Sequence, residues 1–223
     1  AVRADERTRR DRELVALKVP DYSGEVARTL SEQEFAGLFR AEAGTLLALP
    51  AHDNLARFIT FDASAQPKPI LVMEFVPGAN LDQALAARDL PCARACAIID
   101  AVLAGLEAMH AVGIAHLAVQ PGNVVLREST GRAVLVDFGL AGRHLRAGCG
   151  SVHYGGAELW GGPGGELPPF PADVYAAACV AYEVLTDAVL FGGESIREVL
   201  DQHLAAAPAA EMLARLAQMP GLA

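Results

Sequence analysis

Lysine is nearly missing from this chain: Lys18 and Lys68 are the only two among 18 basic residues. The 27 acidic residues outnumber the basic ones and give a formal net charge of -9. A nucleic-acid-binding domain normally carries an excess of basic residues on one face, so this charge argues against nucleic acid as a partner. The charge points to no other class of partner.

Cysteine is also scarce, with Cys92, Cys96, Cys149 and Cys179 as the only four. Their spacing matches neither C-x-x-C nor a secreted disulfide framework, which favours a reduced, cytoplasmic compartment. Cys92 and Cys96 would share one face of a helix. No histidine or acidic residue follows them at ligand spacing, so ordinary packing is favoured over metal binding.

Long uninterrupted apolar runs are absent as well. The two longest apolar stretches, residues 93–112 and 173–191, are each broken by acidic residues. Spanning a bilayer takes about 20 consecutive apolar residues, so neither stretch predicts a membrane helix. The first residues lack the apolar core of a signal peptide. We therefore expect a cytoplasmic protein, or the cytosolic domain of a larger one.

The chain does have a 52% hydrophobic content over 223 residues, enough for a sizeable core. Its first part predicts strands around one helix, and its second part is mainly helical. Strand patterns cover 13–19, 55–62, 70–76, 124–126 and 133–136; helical patterns cover 30–49, 81–87 and 93–111. The rest is predicted to be helical, apart from a glycine- and proline-rich insert at 161–171. The predicted class is α+β.

Residues 116–123, His-Leu-Ala-Val-Gln-Pro-Gly-Asn, are the most informative motif. They resemble the protein kinase catalytic loop, H-R-D-L-x-x-x-N. In that family the Asp accepts the proton of the substrate hydroxyl, and the Asn holds magnesium. His116 and Asn123 are retained at the right separation, whereas Leu117 and Ala118 replace the Arg and the Asp.

Five further segments resemble protein kinase motifs in the same order. Residues 15–18, Val-Ala-Leu-Lys, resemble the V-A-I-K strand, and residues 71–78 resemble the strand and hinge between the two lobes. Residues 137–139 match D-F-G, and residues 156–158, Gly-Ala-Glu, resemble A-P-E. Residues 173–175 resemble the start of the central helix of the large lobe. The chain is thus similar to the protein kinase superfamily from residue 2 to about residue 216.

The resemblance implies a bilobal protein kinase fold formed as one domain. The small β-rich N-lobe would cover residues 1–76, and the larger, mainly helical C-lobe would cover residues 77–223. The glycine-rich loop would precede residue 1, and the last C-lobe helices would follow residue 223. We therefore expect a trimmed piece of a longer protein.

The resemblance also implies a site for ATP with magnesium. Lys18 would pair the α and β phosphates, and Glu42 on the next helix would hold that lysine. Asn123 and Asp137 would bind magnesium, and Asp173 would brace the backbone of the catalytic loop. The remaining residues expected around the nucleotide are Val2, Ala16, Met73 as the gatekeeper, Glu74, Val76 and Val125.

Several departures from the family pattern agree with one another. Ala118 cannot take a proton, which removes a contribution of roughly 100- to 10,000-fold in rate. Gln120 replaces the lysine that steadies the transferring phosphate. Leu117 replaces the arginine that receives a phosphorylated activation loop, and only Ser151 and Tyr154 carry hydroxyls between residues 137 and 158.

Three functions are consistent with these residues. The favoured one is a pseudokinase: a catalytically impaired Ser/Thr kinase-like module that binds a protein partner in signalling, with ATP binding left open. The second is an active Ser/Thr kinase that uses Asp137 or water as its base. The third is a small-molecule phosphotransferase, because residues 120–123 also resemble part of the H-G-D-x-H-P-G-N loop. The alanine- and arginine-rich, lysine-poor composition is typical of a high-GC bacterial source.

Overall fold

The structure is a computed structural model that describes residues 14–19, 31–65, 68–88, 90–138, 151–161, 169–204 and 210–218. Within these ranges the side chains of residues 32, 35, 36, 38, 41, 42, 161 and 211–213 are outside the description.

Two antiparallel sheets, each of three strands, are present in these ranges. The first has the order β1-β3-β2 and the second the order β4-β5-β6. Their strands are β1 (Val15–Lys18), β2 (Phe58–Asp62), β3 (Ile70–Glu74), β4 (Gly78–Asn80), β5 (Val124–Arg127) and β6 (Ala133–Leu135).

Strand β4 was not among the strands predicted from the sequence, which placed residue 78 at the end of the expected hinge segment. Gly78 has a φ of +148° and faces β5 so closely that a Cβ would lie 2.0 Å from the Leu126 carbonyl oxygen. Glycine is therefore the residue that lets this strand pair at all.

The helices are α1 (Glu32–Leu46), α2 (Leu81–Ala86), α3 (Cys92–Ala111), α4 (Glu158–Gly161), α5 (Phe170–Thr186), α6 (Ile196–Leu204) and α7 (Ala210–Ala217). A 3₁₀ turn covers Pro121–Asn123. Ser31 begins α1 with a capping box, since its hydroxyl accepts from the Glu34 N–H at 3.3 Å and the Glu34 carboxylate accepts from the Ser31 N–H at 2.8 Å. Asn80 and Gln83 cap α2 in the same way. Within the parts of the chain described here, no helix has the length and apolarity needed to cross a bilayer.

Most predicted elements are confirmed with shifted bounds, and two shifts matter. The predicted strand at 55–62 begins only at Phe58, because Leu55 instead forms a parallel bridge with Leu135 of β6. The motif at 173–175, expected at the start of the central helix, lies in the first turn of α5, which begins three residues earlier at Phe170.

One main apolar cluster runs through both parts of the molecule. Helices α3 and α5 pack against each other, and α3 also packs against β6. Gly105 allows this second contact, since a Cβ there would lie 3.1 Å from both the Asn54 carbonyl oxygen and Leu135 Cδ1. The cluster includes Phe39, Leu71 and Met73 from the first part and Leu106, Leu135 and Phe138 from the second. The α+β prediction, a small strand-rich part followed by a larger helical part, is confirmed.

Candidate functional site

A single buried carboxylate holds the loop at residues 116–123 in place. Asp173 Oδ1 accepts from the Leu117 N–H at 2.7 Å, and Oδ2 accepts from the His116 N–H at 2.7 Å and from His110 Nε2 at 2.8 Å. The side chain of Asp173 is only 1% exposed. A buried carboxylate needs several donors, and here helix α3 and the loop supply them. The prediction that Asp173 braces this loop is confirmed.

Leu117 occupies the arginine position of the loop and points into a small apolar cluster. Its φ of +60° is unusual for a residue with a side chain. It is 4% exposed and clusters with Ala115, Leu159 and Ala172, against which Trp160 and Phe170 also pack. The place where the family presents a phosphate-receiving arginine is therefore filled by apolar side chains.

His116 is fully buried and has a hydrogen-bond partner at each ring nitrogen. Nδ1 accepts from the Ala118 N–H at 3.2 Å, so Nε2 carries the ring proton and donates to the Val136 carbonyl oxygen, also at 3.2 Å. Burial lowers the pKa of His116 and outweighs the opposing influence of Asp173. The ring is therefore neutral and acts as an internal support of the loop.

Asn123 joins the two ends of the loop. Its side-chain Nδ2 donates to the Ala118 carbonyl oxygen at 2.8 Å, and its main-chain carbonyl oxygen accepts from the Val136 N–H at 2.9 Å. Position 118 is thus fixed through its N–H and its carbonyl, although its side chain is only a methyl group.

Lys18 and Asp137 meet directly, although 119 residues separate them. Lys18 Nζ donates to Asp137 Oδ1 at 3.0 Å. The two side chains are 30% and 54% exposed, so the pair faces open solvent and contributes little to stability. Asp137 has a φ of +57°, a backbone strain of the kind that collects at functional sites.

Only some of the residues expected around the adenine lie in the described parts of the chain. Met73 and Val76 are buried, and Ala16 lies opposite Met73 in the β1–β3 pair. Ala16 and Val125 are half-buried and pack against the main cluster. Val2 and the side chain of Glu42 lie outside the described residues, as do Cys149 and Gly139.

The side chain of Glu74 is engaged with residues that the sequence did not single out. Its Oε1 accepts from Arg127 Nη1 at 2.7 Å, and its Oε2 accepts from the Arg57 N–H at 3.1 Å. Burial alone would raise the pKa of Glu74, but these hydrogen bonds and the charges of Arg127 and Arg57 hold it below its ordinary value. Only the backbone of Glu74 therefore remains for the expected contact with adenine. Arg127 matches no kinase motif and could not have been found from one.

The chain near residue 154 is anchored by side chains. Tyr154 is 8% exposed, and its hydroxyl donates to Glu183 Oε2 at 2.6 Å. Burial and the carboxylate of Glu183 raise the pKa of Tyr154. His203 is buried between the Val152 carbonyl oxygen, 2.8 Å from Nε2, and the Tyr175 hydroxyl, 2.7 Å from Nδ1.

This anchored segment lies beside position 118 and shares a small cavity with it. Only about 10 Å³ remain in the cavity lined by Ala118, Ser151 and Tyr154 together with Leu117 and Leu159. The hydroxyl of Tyr154 is thus buried and structural, whereas Ser151 is half-exposed.

The donor set fits a magnesium nucleotide but lacks a proton acceptor at position 118. Carboxylate and amide oxygens, as in Asp137 and Asn123, are ligands that magnesium accepts, and a lysine such as Lys18 suits a phosphate. The site can therefore hold the charged phosphates and magnesium, but Ala118 cannot accept the proton of a substrate hydroxyl.

Comparison with known proteins gives consistent matches. The model of the "Protein kinase domain" family matches residues 4–219. Serine/threonine-protein kinase PknL of Mycobacterium bovis is 33% identical over 201 residues, 85% of this chain and 47% of that protein. PkaA of Streptomyces coelicolor is 32% identical over 203 residues, 88% and 36% respectively. Pkn2 of Myxococcus xanthus is 32% identical over 205 residues, 87% and 24%. The chain spans about half the length of these curated relatives, or less.

Proposed function

The chain belongs to the protein kinase domain family, and on that premise we propose that it is a pseudokinase that acts in signalling by binding a protein partner. The observation that carries this proposal is Ala118. Hydrogen bonds from its N–H to His116 Nδ1 and from Asn123 Nδ2 to its carbonyl oxygen fix the backbone at this position. The side chain that would accept a proton is missing.

A neighbouring residue supports impaired catalysis. Gln120 offers a neutral amide where the family has a phosphate-steadying lysine. This substitution weakens the same step as the lost base, the transfer of the phosphoryl group to a hydroxyl.

An active Ser/Thr protein kinase with a different base is the second candidate. It is favoured by the relatives, which carry the name serine/threonine-protein kinase, and by the retained Lys18, Asn123 and Asp137. The ion pair of Asp137 with Lys18 disfavours Asp137 as that base, because the carboxylate is already engaged with a cation. The small-molecule phosphotransferase gains no support from the family match.

We also propose that the site binds ATP with magnesium. Lys18 would hold phosphate, Asp137 and Asn123 would hold the metal, and Ala16, Met73, Val76 and Val125 would line the base together with the Glu74 backbone. Val2 and Glu42 stay in this set by resemblance. Bound magnesium would neutralise phosphate charge. Nucleotide phosphates would have to take Lys18 from Asp137, so the ion pair is the first contact to change.

We also propose a cytoplasmic location and limits for the two lobes. The thiols of Cys92, Cys96 and Cys179 are free, which supports a cytoplasmic location. Lobe limits of 1–76 and 77–223 are supported by the change from the first sheet to the second between Glu74 and Gly78.

Phosphoryl transfer separates the two candidates. The purified chain is incubated with radiolabelled ATP, magnesium and a hydroxyl-rich basic protein, beside Asp137→Ala and Lys18→Met variants. A pseudokinase gives the same background in all three. Stoichiometric labelling by the unmodified chain, lost in both variants, would overturn the proposal.

Nucleotide binding is tested separately by thermal shift. At a concentration 100 times its Kd, ATP with magnesium stabilises the folded state by about 2.7 kcal/mol, which gives a readily measured rise in melting temperature. We expect the rise in the unmodified chain and a smaller one in Lys18→Met. Equal melting temperatures with and without millimolar ATP would contradict nucleotide binding but leave the pseudokinase proposal standing.

A further inference from the structure

An open groove lined by arginines includes Glu74 of β3 among its lining residues, but neither Lys18 nor Asp137. One cavity of about 940 Å³ adjoins a second of about 570 Å³, and the two share Asn54, Thr130 and Arg132. We call the pair the arginine groove. Its charged lining residues are Arg57, Arg94, Arg127 and Arg132 with Asp53, Glu74 and Asp100.

The ion pairs in the arginine groove leave much of the guanidinium surface unused. Arg127 donates one hydrogen bond to Glu74 at 2.7 Å, and Arg132 donates one to Asp53. A guanidinium group has five N–H donors in a planar fork, so each pair leaves donors for a second acceptor. Arg132 is itself half-exposed, with 49% of its side chain accessible.

Arg94 adds a further positive charge to the groove. It lies on α3 next to the β5–β6 turn, where its Nη2 would be 3.7 Å from a Cβ added at Gly131. Across the ranges that the structure describes, its side chain makes no ion pair and no hydrogen bond. Among the described residues, four arginines and three carboxylates line the groove, in a chain whose formal charge is -9.

We propose that the arginine groove binds an acidic segment of a partner protein, an inference that rests on the proposed function as a protein-binding module. The groove is much larger than one small anion, and two joined cavities suit an extended chain. Among the described lining residues His52 is the one aromatic side chain, and no Phe, Tyr or Trp is present on which successive bases could stack. A partner carboxylate that takes Arg127 would release Glu74 on the hinge strand and connect docking to the nucleotide site.

The test uses fluorescein-labelled hexaglutamate, with hexaglutamine carrying the same label as the neutral control. Binding is followed by fluorescence anisotropy. We expect hexaglutamate to bind and hexaglutamine to bind at least tenfold more weakly. Binding should also be lost near 1 M NaCl, where the Debye length is about 3 Å.

Charge-reversal variants localise the binding. Arg94→Glu combined with Arg132→Glu should weaken hexaglutamate binding at least tenfold. The control combines Arg197→Glu with Arg215→Glu, two exposed arginines on α6 and α7 that carry the same change of net charge. It should stay within about twofold of the unmodified chain. Arg94→Lys with Arg132→Lys should keep most of the binding, which checks that charge and not folding is responsible.

Three outcomes would overturn the inference: equal affinity for both peptides, equal losses in the two charge-reversal variants, or tighter binding of a dT12 oligonucleotide than of hexaglutamate. The transfer assay on the same preparation tests the proposed function separately. An inactive domain that ignores hexaglutamate removes the arginine groove proposal alone, and an active domain that binds it removes the pseudokinase proposal alone.

Discussion

Replacement of Asp173 by asparagine should strongly destabilise the protein, although it exchanges only one oxygen for an NH₂ group. The carboxylate accepts three hydrogen bonds of 2.7, 2.7 and 2.8 Å and is almost fully buried. In Asp173→Asn one oxygen becomes an NH₂ group, which faces an N–H donor whichever way the amide turns. Oδ1 has one donor and Oδ2 has two, so the better orientation places the NH₂ group against Leu117.

The size of the effect follows from these three bonds. A hydrogen bond to a charged group contributes about 1.5–3 kcal/mol and a neutral one about 0.5–1.5 kcal/mol. Asp173→Asn loses one bond and removes the charge from two others, so we expect a loss of about 3 kcal/mol. For a chain of this length that lowers the melting temperature by about 6–12 °C. Asp173→Ala leaves all three donors without an acceptor and should cost more.

Urea denaturation of the two variants measures these losses, and Asp201→Asn serves as the control. Asp201 is 68% exposed and pairs with Arg197 only at 3.9 Å, so its change should cost less than about 0.5 kcal/mol. Amide hydrogen exchange at His116 and Leu117 should accelerate in Asp173→Asn alone. The brace would be refuted if Asp173→Asn and Asp201→Asn were equally stable.

Three further predictions test other parts of the site. Leu117→Arg, which restores the family residue, should cost about 3 kcal/mol or more because it buries a charge in an apolar cluster, whereas Leu117→Met should cost less than about 1.5 kcal/mol; denaturation curves of equal midpoint would contradict this. Tyr154→Phe leaves half-buried Glu183 without its donor and should cost about 1–3 kcal/mol by calorimetry, with Tyr182→Phe as a comparison. Burial lowers the pKa of His116 and His203, so the unfolded chain takes up protons first as the pH falls. Stability should be full above about pH 6.5 and decline towards pH 5 by up to about 1.4 kcal/mol per pH unit for each histidine; a profile unaffected by His203→Gln would argue against its share.

The loop contacts could be predicted from the sequence because short motifs have fixed internal spacing. His116 and Asn123 lie where the H-R-D-L-x-x-x-N frame places them, and Asp173 reaches the loop backbone as the motif at 173–175 implied. Helix α1 was also predictable, since its apolar period and its Ser31 capping box are both local signals.

Other contacts left no such signal. The Glu74–Arg127 pair joins two strands, and the two residues are 53 positions apart. In the sequence, an arginine on a half-buried strand cannot be distinguished from an arginine whose charge faces solvent. Strand β4 is three residues long and begins with glycine, too short for alternation and poor in strand propensity. Its formation depends on β5, which tertiary packing brings to it.

The bracing of the loop from beneath makes positions 118 and 120 suitable for redesign. Asp173, His116 and Asn123 specify the path of the main chain through amide and carbonyl groups, so the side chains at 118 and 120 carry little of that task. A library that varies residues 118 and 120, from the carboxylate that the family places at 118 to imidazoles and thiols, would therefore sample different chemistry on a scaffold that stays folded.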